Sequence, residues 1–75
     1  MSLFSKFDGN VFKAATHIID TTEYSKTRAY RYSFARFAKR YREQAHNVSG
    51  LRKTLLIRKA NFYQMVSDYL KKEGN

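Results

Sequence analysis

A run of cationic side chains between Lys26 and Arg42 has the clearest chemistry in this 75-residue sequence, and no Asp or Glu interrupts it. At about 100° per residue, five of these cations and one tyrosine share one side of a helical wheel that starts at Arg28. This side, from about 300° to about 80°, holds Arg28, Arg31, Tyr32, Arg36, Lys39 and Arg42. Arginine presents a planar fork of donors that fits a phosphate or a guanine edge. The pattern is therefore typical of a helix face that binds nucleic acid.

Tyr32 differs from the other aromatic residues of this segment because it lies among the cations, at about 40° on the same wheel. Its ring could stack on a base or a sugar, and its hydroxyl could donate to a phosphate. We expect Tyr32 to be exposed and Tyr30 and Tyr41 to be largely buried. Arg52 and Lys53 come after the next break in the pattern, and we expect them to extend the binding surface.

The charge of the whole chain favours the same partner. The formal net charge is +9, and the excess lies in residues 26–75, because residues 1–25 sum to −1. We expect double-stranded DNA to be bound, in a regulatory or architectural role, since each neutralised phosphate releases counterions. RNA is another possible partner, because helices rich in Arg also fit RNA. The alternative without a ligand is a solvated helix face, but such a face normally mixes charges of both signs.

The aromatic content suggests a partner of a different class. Six Tyr and six Phe make up 16% of the chain, and a small core cannot easily enclose twelve rings. Aromatic residues are enriched at protein interfaces, so a small inhibitor or adaptor that docks on an acidic protein is the second hypothesis. The same surplus, with Leu56, Tyr63 and Leu70 beside the main apolar stripe of their segment, predicts a homodimer.

Catalytic and metal-binding groups are scarce. The chain has no Cys and only two His. His17 and Asp20 could share a helix face, but one His and one carboxylate are too few for a closed metal site. His46 lies next to a turn, and Glu43 is its only acidic neighbour in sequence. We therefore expect no enzyme activity, no cofactor and no metal.

Three helical segments must position the basic residues. The first follows an N-cap at Asn10 or Asp8 and should end near Thr21. The second should run from Lys26 to about His46 with Ser25 as N-cap, and its apolar stripe comprises Tyr30, Phe34, Phe37, Ala38, Tyr41 and Ala45. The third should run from Leu51 to about Lys72 with one face formed by Leu51, Leu55, Phe62, Val66 and Tyr69. Arg58 and Lys59 interrupt that face, so either their aliphatic stems extend along it to solvent or the helix divides near Lys59 and Asn61.

These segments predict a single small all-α domain over residues 1–75, with three helices, or four if the third segment divides. The second and third helices should form an antiparallel pair, and the first should close over their apolar groove. A helix-turn-helix is the alternative, because Ala45, Val48 and Leu55 lie near the positions that the motif requires, although Gly50 comes one residue late for its turn. Leu51 to Arg58 would then be the recognition helix, with Arg52, Lys53 and Thr54 at its reading end.

Two further features bear on location. Residues 1–6 have one basic residue and no apolar core of signal-peptide length, so we expect a cytoplasmic protein. Amphipathic basic helices also bind anionic membranes, but the apolar face is narrow and the chain has no Trp, so no membrane partner is expected. The size, charge and composition are like those of many small phage, plasmid or mobile-element proteins, a likeness that assigns no role to any residue.

Overall fold

Four helices and no strand form the part of the chain that the computed structural model describes, residues 2–73. They are α1 (Leu3–Lys6), α2 (Val11–Thr21), α3 (Tyr24–Ala45) and α4 (Gly50–Glu73). The all-α prediction with an antiparallel helix pair is confirmed, and α3 and α4 are that pair. The fourth helix does not arise from a division of the third segment, because α4 is continuous through residues 58–61. It is the short α1, which the sequence patterns did not predict.

The N-terminal helices are fixed by local hydrogen bonds. The side chain of Asn10 accepts from the backbone N–H of Lys13 at 3.0 Å, as predicted for an N-cap, and α2 ends at Thr21 as expected. Between α1 and α2 the chain turns through Asp8 and Gly9, which both have positive φ. This turn lets α1 lie against α4, where the rings of Phe4 and Phe62 meet edge to face at 5.3 Å.

The start of α3 differs from the prediction. Ser25 is not its N-cap, because α3 begins at Tyr24 and Glu23 occupies the cap position without a side-chain cap hydrogen bond. Only two residues, Thr22 and Glu23, separate α2 from α3, so the new helix must begin at once. The hydroxyl of Thr27 donates to the carbonyl of Glu23 at 3.2 Å and joins the first turn to the cap residue.

Small residues bring α3 and α4 together. Ala38, Ala45 and Ala60 are buried between the two helices, and the hydroxyl of Ser67 donates to the carbonyl of Arg31 at 2.8 Å. Farther along, Tyr41 stacks on Tyr63 with ring centroids 5.8 Å apart. Because residues early in α3 meet residues late in α4, the pair is antiparallel. A helix-turn-helix, whose helices cross at about 90–120°, is therefore the wrong interpretation.

This packing rotates α3 relative to the predicted stripe. The buried residues Thr27, Phe34, Ala38 and Ala45 centre near about 260° on the Arg28 wheel, whereas the predicted stripe centres near about 230°. Tyr30 and Phe37 consequently lie at the rim and are 44% and 39% exposed. The prediction that Tyr30 is largely buried is therefore wrong, and Tyr41 is only half-buried.

The core of the molecule lies over the second half of α4. Phe62, Tyr63, Val66 and Leu70 are buried there against α2 and α3, with Ala14, Ala15 and Ile18 from α2. The predicted core positions Leu51 and Leu55 are instead 89% and 45% exposed. The reason is length: α2 has 11 residues and α4 has 24, or about 16 and 36 Å at 1.5 Å per residue. The first half of α4 and the end of α3 therefore project as a two-helix hairpin.

Candidate nucleic-acid interface

The predicted basic residues of α3 form one exposed face, which we call the basic face: Arg28, Arg31, Tyr32, Arg36, Lys39 and Arg42. All are exposed except Arg31, which is half-buried. The prediction for Tyr32 is confirmed, because its side chain is 56% exposed. The centre of the basic face lies about 110° around α3 from its buried side, so packing against α4 leaves most of it open. Glu43, also exposed, is the only acidic residue in the sequence of α3 and follows Arg42 at the hairpin end of the face.

Arg31 and Tyr32 form a hydrogen-bonded pair within this face, and the cluster they form with Arg28 is positively charged. The Nη2 of Arg31 donates to the hydroxyl of Tyr32 at 3.1 Å, and its guanidinium carbon lies 4.9 Å from the Tyr32 ring centroid. Hydrogen bonds from Arg31 and then from Arg28, reinforced by their positive charge, lower the pKa of Tyr32 below 10.0. The Tyr32 hydroxyl accepts from arginine and keeps its own proton to donate, so three donors can converge on one anion.

The cluster is held by the contact between α3 and α4. The backbone carbonyl of Arg31 accepts from Ser67, which fixes the position of this turn on α4. Beside it, a shallow depression of about 300 Å³ is lined from α3 by Arg31 and Tyr32 and from α4 by Asp68 and Lys71. Asp68 accepts from Gln64 at 3.1 Å. The depression therefore combines cations with one carboxylate, and it extends the basic face onto α4.

Lys71 is a residue of this surface that the sequence analysis missed. It lies 18 residues after Lys53, and 18 residues make five full helical turns at about 100° per residue. Lys53 and Lys71 therefore lie on the same side of α4, the side that meets Tyr32. A helical wheel of α4, drawn from the sequence, would have shown that Lys53 and Lys71 share one side.

The two predicted residues of α4 lie on different sides. Lys53 shares the side of Lys71, but Arg52 lines a groove with Tyr41 and Leu55 on another side of the hairpin. The two positions are separated by about 100° on the helix. The structure therefore brings together the six residues of α3 and does not bring Arg52 to them.

Two further features of the described residues bear on metal binding and on membrane insertion. His17 packs its ring against Phe7 at 5.2 Å. Within residues 2–73, no three His, Cys, Asp or Glu side chains gather where they could hold a metal ion. Over the same residues, none of the helices has the length and apolar character needed to cross a membrane.

Comparisons with protein-family models, curated proteins and solved structures give no match to this chain.

Proposed function

We propose that this protein binds double-stranded DNA through the basic face of α3, in a regulatory or architectural role. The observation that carries the proposal is that four exposed cations, the half-buried Arg31 and the exposed Tyr32 share one side of a single helix, without an acid between Lys26 and Arg42. The net charge of +9 also supports nucleic-acid binding, because it attracts a polyanion over a distance comparable to the Debye length.

The length of the basic face suits a nucleic-acid backbone. Arg28 and Arg42 are 14 residues apart, which corresponds to about 21 Å along the helix axis. Phosphates of one strand follow each other every 3.4 Å along the axis of duplex DNA, so the face can follow about six base-pair steps. Arg36 and Lys39 fall between these ends and would contact phosphates along the way. These contacts give affinity and set orientation without reading the sequence.

Tyr32 would add a contact of another kind. The guanidinium carbon of Arg31 lies 4.9 Å from its ring centroid. The exposed ring can stack on an unpaired base or pack on a sugar, and stacking is worth about 1–3 kcal/mol per base. The contribution of Tyr32 to affinity would therefore be larger for a ligand that offers bases than for one that offers only phosphates.

The test is a titration with duplex DNA, single-stranded DNA and RNA at several salt concentrations between about 50 and 200 mM. About five to seven phosphate contacts would give a slope of log K against log salt of about −4 to −6. Tighter binding to RNA would transfer the proposal to RNA. No measurable binding at the lowest salt would refute it.

Self-association and a cytoplasmic location stay predictions. Tyr63 and Leu70, which motivated the homodimer, are buried within one chain, so they cannot form its interface. Sedimentation at tens of micromolar, a range in which specific dimers assemble, would give twice the chain mass if the prediction is right. A chain mass of one copy would refute it.

A further inference from the structure

An open groove runs between α3 and α4 on the side away from the basic face. Its first part, about 480 Å³, begins at Leu3 of α1 and is lined by Phe37, Arg40 and Tyr41. Its second part, about 510 Å³, is lined by Tyr41, Leu55 and Leu56. Tyr41 and Gln44 line both parts, so the two parts adjoin there and together extend from the start of α1 to the hairpin end.

At one end of the α3–α4 pair, α1 and α2 pack over the two helices. The groove lies in line with them, over the rest of the pair. Phe4 packs on Phe62, and from there onwards α4 is buried on the side that faces the other helices, but no third helix among the described residues covers the groove side of α4 between Leu51 and Tyr63. That stretch is about 18 Å long. A helix of about 12 residues would fill it and complete a third helix over the hairpin, as α2 does at the other end.

The charges of the groove select its occupant. Arg40, Arg52 and Lys59 line it, and the Nζ of Lys59 lies 5.9 Å from the ring centroid of Tyr41. A second copy of this chain would bring the same cations against them, so charge repulsion disfavours a copy. The concave floor of Tyr41, Leu55 and Leu56 suits neither a flat membrane nor phosphates, but it suits a helix with an apolar stripe between acidic flanks.

We propose that this groove docks an acidic amphipathic helix of a protein partner. Leucine-like anchors at i, i+3 or i+4 and i+7 would contact Leu55, Leu56 and Tyr41, and flanking carboxylates would pair with Arg52 and Lys59. Arg40 and Gln44 lie at about 120° and 160° on the Arg28 wheel, outside the basic face, which ends at Arg36 near about 80°. The groove can therefore be filled while nucleic acid is bound.

The probe is a fluorescein-labelled peptide of about 14 residues with Leu at helical i, i+3, i+4 and i+7 spacing and Glu at most other positions. A second peptide has the same composition in scrambled order. Fluorescence anisotropy at about 0.15 M salt should give at least about tenfold tighter binding of the full-length protein to the patterned peptide. Equal binding of the two peptides, or no binding, would overturn the proposal.

Two matched pairs of variants locate the bound peptide. Arg52→Glu and Lys53→Glu make the same change of charge on adjacent exposed residues, and only Arg52 lines the groove. Leu55→Ala and Ile57→Ala remove similar, partly exposed side chains (45% and 40%), and only Leu55 lines the groove. The groove variants should weaken peptide binding about tenfold, and their partners should weaken it by less than about twofold.

Three results would overturn the assignment. If the two variants of each pair lost the same peptide affinity, the peptide would be held by general attraction between opposite charges and not by the groove. Binding of wild-type protein to anionic phosphatidylglycerol vesicles that Leu55→Ala abolishes, without peptide binding, would identify a membrane surface. A dimer mass that Leu55→Ala reduces to a monomer mass would identify a second copy. Circular dichroism of each variant checks folding, and if Leu55→Ala unfolds the chain, the comparison of Arg52→Glu with Lys53→Glu decides.

Discussion

Two tyrosines two residues apart on α3 provide the sharpest test of the basic face. Tyr32 is 56% exposed among cations, whereas Tyr30 is 44% exposed at the rim of the core. The Tyr30 ring stacks on Phe34 with centroids 5.7 Å apart. Replacing each tyrosine by Ala removes the same atoms from nearly the same degree of exposure. The two variants should nevertheless lose different properties: Tyr32→Ala should lose nucleic-acid affinity, and Tyr30→Ala should lose stability.

The magnitudes follow from what each ring contacts. Tyr32 packs only on the flexible guanidinium of Arg31, so Tyr32→Ala should change the free energy of unfolding by no more than about 0.5 kcal/mol. If the ring contacts a base, nucleic-acid binding should weaken by about 1–3 kcal/mol. Tyr30→Ala loses an aromatic pair worth about 0.5–1.5 kcal/mol beyond its buried area, and it should leave nucleic-acid binding unchanged.

Two assays measure the two effects on the same samples. Urea unfolding followed by circular dichroism gives the free energy of unfolding, and fluorescence anisotropy with labelled duplex and single-stranded DNA gives the affinity. Tyr32→Phe separates ring from hydroxyl: it should keep the stacking contribution and lose only the hydrogen bond. If Tyr32→Ala unfolds the chain and leaves DNA binding intact, α3 is rotated from the orientation described here, and Tyr32 is part of the core.

Three further predictions concern single residues. Arg36→Ala should weaken DNA binding and reduce the salt slope by about one, as measured by titration at several salt concentrations. Absorbance titration of wild type against Tyr32→Phe should show that the phenol of Tyr32 has a pKa below 10.0, and Arg31→Met should raise that pKa. Because the folded pKa is lowered, the associated stabilisation is fully present above the unfolded pKa of about 10 and is lost as pH falls through the folded pKa. Leu70→Ala should cost about 2–5 kcal/mol of stability in urea unfolding, whereas Leu51→Ala should cost less than about 0.5 kcal/mol, and equal costs would contradict the described core.

Local patterns in the sequence were sufficient where a feature depends on neighbours in the chain. The N-cap of α2 depends on a residue three positions later, and Asn10, one of the two residues predicted for it, is the cap. The separation of cations from apolar residues on α3 also depends on one helix alone. The exposure of Tyr32 followed from it directly.

Features set by two helices together were harder to predict. The rotation of α3 depends on Ala60 and Ser67 of the opposite helix, which allow close approach at Ala38 and Arg31. The exposure of Leu51 depends on how far α2 reaches along α4, and the unequal lengths of the two segments already contained that information. The position of Arg52 in a groove required the register between α3 and α4.

The uneven cover of α4 divides one continuous helix into two parts with different opening free energies. Backbone amides near Val66 and Leu70 lie under a third helix, so their hydrogen exchange requires unfolding of the whole domain. Amides near Leu55 and Ile57 lie in the exposed hairpin and can exchange through fraying of a few turns. A ligand that docks only on the hairpin would slow exchange there by its full binding free energy. The same ligand would also slow exchange at Leu70, because unfolding of the whole domain releases a ligand bound to the hairpin.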